Sequence, residues 1–296
     1  MAQSHGAQAH DGLGRILVII PTYNEIDNID MITGRLRVAV PDADILIVDD
    51  NSPDATGRRA DELHAADESI HVLHRQGKEG LGAAYLAGFG WGLERNYDVL
   101  VEFDADGSHQ PEQLPAVLAG LHDADMVKGS RWVKGGAVVN WPLHRELLSR
   151  GGSLYIRLML GVPVRDVTGG LNAFRADVLR DILDAPIDKQ GYGIQRDLTL
   201  NAHRRGYRIA EVPIEFIERT KGESKMSGSV VKEAMIRTTE LGLKYRGEQL
   251  AAGFARARAG AESAGERAGR FVGAVSKAAH DTVRATRNNK GGAGES

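Results

Sequence analysis

This sequence predicts an α/β fold: a mostly parallel sheet flanked by helices. Three observations carry the prediction. Short, nearly continuous apolar runs alternate with segments of helical periodicity through the first half of the chain, the pattern of a parallel sheet covered on both faces. The polar motifs fall where those runs end, and that rim is where open α/β sheets bind ligands. With 296 residues, 42% of them hydrophobic, the chain can bury a substantial core.

The elements follow in order. Strands are expected at Arg15–Ile20, Asp44–Val48, Ile70–His74, Val99–Phe103 and Asp125–Lys128. Helices are expected between them at Glu25–Val38, Asp54–Ala66, Gly82–Glu94 and Pro111–Gly120. The second half changes character. A loop after Gly129-Ser-Arg131 leads to a helix from about Pro142 to Leu160, then to a glycine-rich turn at Asp166–Gly170. Short helices follow near Ala176–Leu183 and Gln195–Arg205, an alternating strand at Tyr207–Ile217, and a helix over Ser229–Tyr245. The expected domain therefore spans 15–249, preceded by a polar, disordered leader over 1–14. Residues 250–296 form a tail of Ala, Gly and basic residues, which reads either as disordered or as a weak amphipathic helix.

Bulk properties narrow the function. A net charge of −3 gives no basis for a nucleic-acid partner. The absence of cysteine excludes disulfides and thiolate metal sites. No run approaches the roughly 20 apolar residues of a membrane span. The first strand leads into Pro21-Thr-Tyr-Asn-Glu25 rather than the GxGxxG of a dinucleotide-binding oxidoreductase.

Asp104 and Asp106 end the fourth apolar run. Strand alternation would point both carboxylates to one side, where they repel each other unless a cation joins them. Mg²⁺ takes one or two carboxylates together with phosphate oxygens. Asp49 and Asp50 follow Val48 at the end of the second run. They read either as a turn and cap, with Ser52 or Asp54 capping the next helix, or as acceptors for a nucleoside's hydroxyls or base. Pro21–Glu25 carries the same two readings. Arg145 and Ser149, four apart on one helix, share a face. With Arg131 they could hold a phosphate through guanidinium and hydroxyl donors, since two converging arginines repel unless an anion joins them. Val138, Val139, Trp141 and Leu143 lie between the arginines in sequence and could line the path of an apolar chain or belong to the core. Arg219 and Lys225 lie in a loop that could close over a diphosphate.

The ordered set PTYNE, VDDNSPD, GLGAAY, DAD, GSRW, DVTGGLNAF and VPIEFIERTKGESKMS resembles the polyprenyl-phosphate mannose synthases. These enzymes, also called dolichol-phosphate mannosyltransferases, are family 2 glycosyltransferases of GT-A fold. The resemblance runs from about Arg15 to Gln249. It implies inverting transfer of mannose from GDP-mannose to a polyprenyl phosphate, with Mg²⁺ or Mn²⁺ as cofactor. It assigns the metal to Asp104 and Asp106, with Ser108 where a third metal-site residue lies. It assigns the donor to Pro21, Tyr23, Glu25, Val48, Asp49, Asp50, Asp104, Ala105, Asp106, Arg131, Arg219 and Lys225, and the acceptor phosphate to Arg131, Arg145 and Ser149. Gln195 and Asp197 stand at a sugar-side motif that Arg196 interrupts. A cytoplasmic protein at the inner face of the membrane is expected, held by peripheral contact or a membrane-embedded partner. Transfer from a UDP-sugar, or a non-catalytic lipid-phosphate-binding role, are the alternatives.

Overall fold

The structure, a computed structural model, describes residues 12–188, 193–218, 234–248 and 251. The chain divides into two compact units between Thr239 and Glu240. In the second unit, residues 240–248 are helical.

The first unit is built on a seven-stranded sheet. Its strands are β1 (Ile16–Thr22), β2 (Asp44–Asp49), β3 (Ile70–His74), β4 (Val99–Glu102), β5 (Met126–Ser130), β7 (Asn172–Arg175) and β8 (Ile209–Pro213), in the order β3-β2-β1-β4-β7-β5-β8. All neighbours are parallel except β7, which runs antiparallel between β4 and β5. A second, two-stranded sheet pairs β6 (Ala137–Val139) with β9 (Glu215–Ile217) in parallel. The helices are α1 (Ile29–Ala39), α2 (Thr56–Ala66), α3 (Leu81–Glu94), α4 (Leu114–Ala119), α5 (Leu143–Leu160), α6 (Ala176–Leu183) and α7 (Ile194–Arg204). No described helix is long and apolar enough to cross a membrane.

The period of two along β1 builds a core on each face of the sheet. Val18 and Ile20 pack on one side with Ile29, Ile32 and Leu36 of α1. Leu17 and Ile19 pack on the other with Tyr85 and Phe89 of α3 and Ile194 and Leu198 of α7. Each such Leu or Ile contributes about 1.5–3 kcal/mol by leaving water. Gly88 lets α3 lie close to the sheet, because a Cβ there would sit 2.5 Å from the Ile19 side chain.

The five strands expected in the first half are present, with shifts of one or two residues at several ends. Helix α1 begins at Ile29 rather than Glu25, since residues 23–28 form a bend and a turn first. Asp54, not Ser52, serves the start of α2, accepting the Thr56 amide at 3.0 Å. The run Tyr207–Ile217 is not one strand. It ends its ladder at Pro213, which has no N–H to donate, and Glu215–Ile217 joins the second sheet. Strands β6 and β7 were not expected: three and four residues, respectively, are too few to show a period.

Candidate active site

A cavity of about 230 Å³ lies at the rim of the sheet. Asp104, Asp106, Ser108, Arg131, Arg145 and Ser149 all line it, together with Gln195 and Arg196. Residues from the turn after β4, from the end of β5 onward, and from helices α5 and α7 thus meet in one place.

The two aspartates are not on the strand. Strand β4 stops at Glu102, and Asp104 and Asp106 lie in the turn that follows. Other contacts, not strand alternation, orient them. Tyr85 of α3 donates its hydroxyl to Asp104 at 2.9 Å, and burial beside that carboxylate holds the phenol well above its ordinary pKa. The Ser108 amide and hydroxyl both donate to Asp106 Oδ1, at 3.0 and 2.5 Å. The Ser108 hydroxyl thus spends its proton on the aspartate. The turn is tied to the second sheet by the Ile217 amide, which donates to the Ser108 carbonyl at 3.0 Å.

His109 was absent from the sequence expectations. It is buried against Phe103 and Phe216, lines the cavity, and neither ring nitrogen has a hydrogen-bond partner among the described residues. Its Nε2 lies 3.5 Å from Asp104 Oδ2. The signal was a histidine three residues past the acidic pair, which spacing alone does not distinguish from packing. The two carboxylates suit a hard divalent cation, and the imidazole beside Asp104 adds a nitrogen, a donor that borderline metals accept more readily than hard ones. Among the described residues no group of three or more His, Cys, Asp or Glu is arranged to hold a metal by itself. A cation here would therefore draw further oxygens from a ligand.

Each arginine already holds an anion, a carboxylate of the chain itself. Arg131 grips buried Asp166 through Nε and Nη2, both at 2.7 Å, and its backbone amide adds a third bond at 3.0 Å. Burial pushes the Asp166 carboxyl up, but the charge and hydrogen bonds of Arg131 outweigh this and leave it below its ordinary pKa. Nη1 is the edge of Arg131 not spent on Asp166 or Thr168 among the described residues. Arg145 pairs with Glu218 at the end of β9 and lies 4.2 Å over the Trp141 ring. Ser149 lines the cavity one helical turn further along α5. Trp141 also lines it, whereas Leu143 is 70% exposed and belongs neither to the core nor to the cavity lining. Val138 and Val139 are half-buried in the small sheet.

Behind the cavity a polar row crosses the sheet. Glu102, Asn172 and Lys128 are directly opposite on β4, β7 and β5. Lys128 Nζ donates to Asn172 Oδ1 at 2.5 Å, and Asn172 Nδ2 donates to Glu102 Oε2 at 2.5 Å. Burial pushes Glu102 up to about 8 and Lys128 down to about 8. Glu211, the next residue in the row, accepts the Asp166 amide at 2.9 Å and so fixes the partner of Arg131.

The remaining expected donor residues lie on the same rim, at the ends of β1 and β2, but do not line this cavity. Asp49 is buried and engaged: Thr22 and Ser52 donate their hydroxyls to Oδ1, and the Ser52 amide donates to Oδ2. Its carboxylate clamps two loops, in keeping with the turn reading, the first of the two readings of this residue. Asp50 pairs with Arg75 at 2.5 Å; burial still leaves its pKa raised. Lys78 sits over the Tyr23 ring at 4.2 Å, and Asn28 donates to Glu25. Pro21 and Val48 are paired within the sheet, and Ala105 is buried between the two aspartates. Gln195 and Asp197 are buried on α7, Asp197 accepting from Arg196 Nε at 2.8 Å. Arg219 and Lys225 lie outside the described residues.

Residues 17–183 match Glycosyl transferase family 2. The chain is 59% identical over 239 residues to the undecaprenyl-phosphate mannosyltransferase of Micrococcus luteus, covering 80% of this chain and 98% of that protein. It is 53% identical over 234 residues to the polyprenol monophosphomannose synthase of Mycolicibacterium smegmatis, covering 78% and 88%. Among solved structures it resembles glucosyl-3-phosphoglycerate synthase from Mycobacterium tuberculosis, solved with Mn²⁺, UDP and glucosyl-3-phosphoglycerate. The TM-score is 0.57 at 19% identity, over 81% of this chain and 82% of that one. That likeness is one of fold.

Proposed function

The chain belongs to glycosyl transferase family 2, and from that premise we propose that it transfers mannose from GDP-mannose to a polyprenyl phosphate. Both bacterial relatives are named for mannosyl transfer to a polyprenyl lipid. The single observation that carries the site assignment is that one cavity is lined by both aspartates and by Arg131, Arg145 and Ser149.

In this reading Asp104 and Asp106 face the donor diphosphate and are the residues that would hold a divalent cation there; when bound, such a cation would supply Lewis-acid stabilisation of the departing nucleoside diphosphate. Tyr85 and Ser108 keep the carboxylates in place, and His109 stands beside Asp104 as a further nitrogen donor. The acceptor phosphate binds the remaining edge of Arg131, the Arg145 guanidinium and the Ser149 hydroxyl. A phosphate monoester has a second pKa of about 6, so it is already anionic and needs no strong general base. Its attack on the anomeric carbon, opposite the departing diphosphate, inverts the configuration. Holding the two reactants in line is the main task of the protein, worth about 7 kcal/mol or more in well-oriented cases. Gln195, buried in the cavity wall, faces the sugar. The outer rim at Tyr23, Glu25 and Asp50 receives the nucleoside, and the resemblance assigns the diphosphate's charge to Arg219 and Lys225, which lie outside the described residues.

The test is transfer of radiolabelled mannose from GDP-mannose to purified polyprenyl phosphate, with UDP-glucose in parallel and with a chelator. Labelled lipid from GDP-mannose alone, abolished by chelator and restored by Mg²⁺ or Mn²⁺, is expected. Product from UDP-glucose instead would replace the donor assignment.

A further inference from the structure

One aromatic ring contacts both arginines that the proposed function gives to the acceptor phosphate. The Arg145 guanidinium lies over the Trp141 ring at 4.2 Å from its centre, and the Arg131 guanidinium lies over the same ring at 5.5 Å. Trp141 also lines the cavity beside them. Its indole nitrogen is buried and has no hydrogen-bond partner among the described residues. Attraction of the two cations to the ring face, rather than a hydrogen bond, therefore joins the indole to the arginines.

The carboxylates cannot supply this link. Asp166 holds Arg131 and Glu218 holds Arg145, so each carboxylate fixes one arginine without reference to the other. They also occupy N–H edges, the same edges an incoming phosphate needs. A ring stacked on the guanidinium face leaves those edges open.

The ring itself is rigidly mounted. Asn140 before it has φ +63°, a left-handed conformation that Asn adopts more readily than most residues. Pro142 after it restricts Trp141 to extended backbone and leads directly into α5. The indole meets Phe216 edge-on at 5.4 Å and Trp132 at 6.5 Å. Phe216 belongs to β9, which pairs with β6 just ahead of Trp141, and the Glu218 amide donates to the Val139 carbonyl at 3.0 Å. The small second sheet thus delivers Trp141, Phe216 and Glu218 to one place. A tryptophan has two side-chain torsions to fix, far fewer than an arginine, and suits the part of a fixed plate.

We propose that Trp141 is a positioning residue, a spacer that sets the Arg131 and Arg145 guanidinium groups relative to each other so that one phosphate monoester can bridge them. This rests on the acceptor assignment of the proposed function.

The test compares the full chain with its Trp141→Leu and Trp141→Phe variants, varying GDP-mannose and a short, water-soluble isoprenoid phosphate in turn. Both variants lose part of the indole's packing, so the thermal midpoint falls in both. The acceptor KM is what separates them. Trp141→Leu is expected to raise it about tenfold, the scale of a partly desolvated cation–π contact. Trp141→Phe keeps a ring face and should stay within about threefold of wild type. The donor KM should stay unchanged in both, and calorimetric binding of the isoprenoid phosphate alone should weaken by the same factors as the acceptor KM. A Phe variant as impaired toward the acceptor as the Leu variant overturns the proposal, as does an equal rise in both KM values. Trp141→Met, which fills the space without a ring, carries the same expectation if Trp141→Leu fails to fold. Wild type that neither binds nor mannosylates the isoprenoid phosphate defeats the proposed function. An active wild type with an unaffected Trp141→Leu variant defeats the spacer alone.

Discussion

Arg131 and Asp166 form a two-pronged ion pair: Nε and Nη2 each donate at 2.7 Å to a separate carboxylate oxygen, and both side chains are nearly fully buried. The pair turns a long, mobile side chain into a fixed arm. Its guanidinium is also flanked by the rings of Trp132, Trp141 and Phe216 at 5.2–5.5 Å. Asp166→Ala would strand that cation in the interior and is expected to lower unfolding stability by about 3–5 kcal/mol. Urea denaturation reads the loss, and Asp166→Asn, which keeps one acceptor for Arg131, should lose less.

Asp104→Asn and Asp106→Asn are expected to leave the fold intact, because both residues lie in the turn at the rim rather than in the sheet. Transfer should fall on the order of 10²-fold or more, as several kcal/mol of leaving-group stabilisation disappears. The comparison is mannosyl transfer against the thermal midpoint of each variant. A variant retaining wild-type transfer would remove the aspartates from the mechanism.

Arg145 offers a sharper contrast through its partner. An acceptor phosphate must compete with Glu218 for the same guanidinium. Arg145→Ala should raise the acceptor KM by about 10-fold or more, the loss of one charge-assisted hydrogen bond. Glu218→Gln frees Arg145 and should lower that KM, with the donor KM unchanged in both. Steady-state kinetics with each substrate varied in turn decides the matter.

The buried pair Glu102 and Lys128 predicts a pH-dependent stability. Glu102 holds its proton in the folded state up to about 8 against an ordinary 4.5, so its contribution falls as pH rises through that window. Lys128 has lost its proton in the folded state above about 8 against an ordinary 10.5, so its contribution rises with pH from there. The cost of the pair is therefore greatest near pH 8. Lys128→Met alone should destabilise by about 3–5 kcal/mol, whereas Glu102→Met/Lys128→Met should be neutral or stabilising by about 1–4 kcal/mol. Urea titrations at several pH values should show the widest gap between the double variant and wild type near pH 8.

Gly170 adjoins the aspartate turn. A Cβ there would lie 2.9 Å from Asp104 Oδ2 and 3.4 Å from His109 Nε2. Gly170→Ala is expected to cost about 1–3 kcal/mol in stability and to cut transfer by about 10²-fold, since displacement by about 1 Å has that effect on a positioned group. Activity falling far more than stability identifies the contact with Asp104 as the cause.

Much of this was legible in the sequence. The apolar runs of β1, β2 and β4 locate their strands because a doubly covered strand needs nearly every residue to be apolar. Arg145 and Ser149 read as neighbours because a helix repeats every 3.6 residues. Asp104 and Asp106 could be placed at the rim because the polar residues begin where the apolar run stops. These are local statements, and local pattern suffices for them.

The tertiary structure decided the partners. Asp166 is 35 residues from Arg131 and Glu218 is 73 from Arg145, and no periodicity links residues so far apart. Strand β7 enters the sheet between β4 and β5 although Asn172 is polar, because Glu102 and Lys128 on the flanking strands satisfy it. Asp49 serves as a loop clamp because Thr22, 27 residues away in sequence, and Ser52 both donate to it. The sequence by itself determined which residues could carry the chemistry, since residue type and local period are written along the chain. Which of them share a cavity, and which are neutralised by a neighbour, depended on long-range pairing that only the packed sheet supplies.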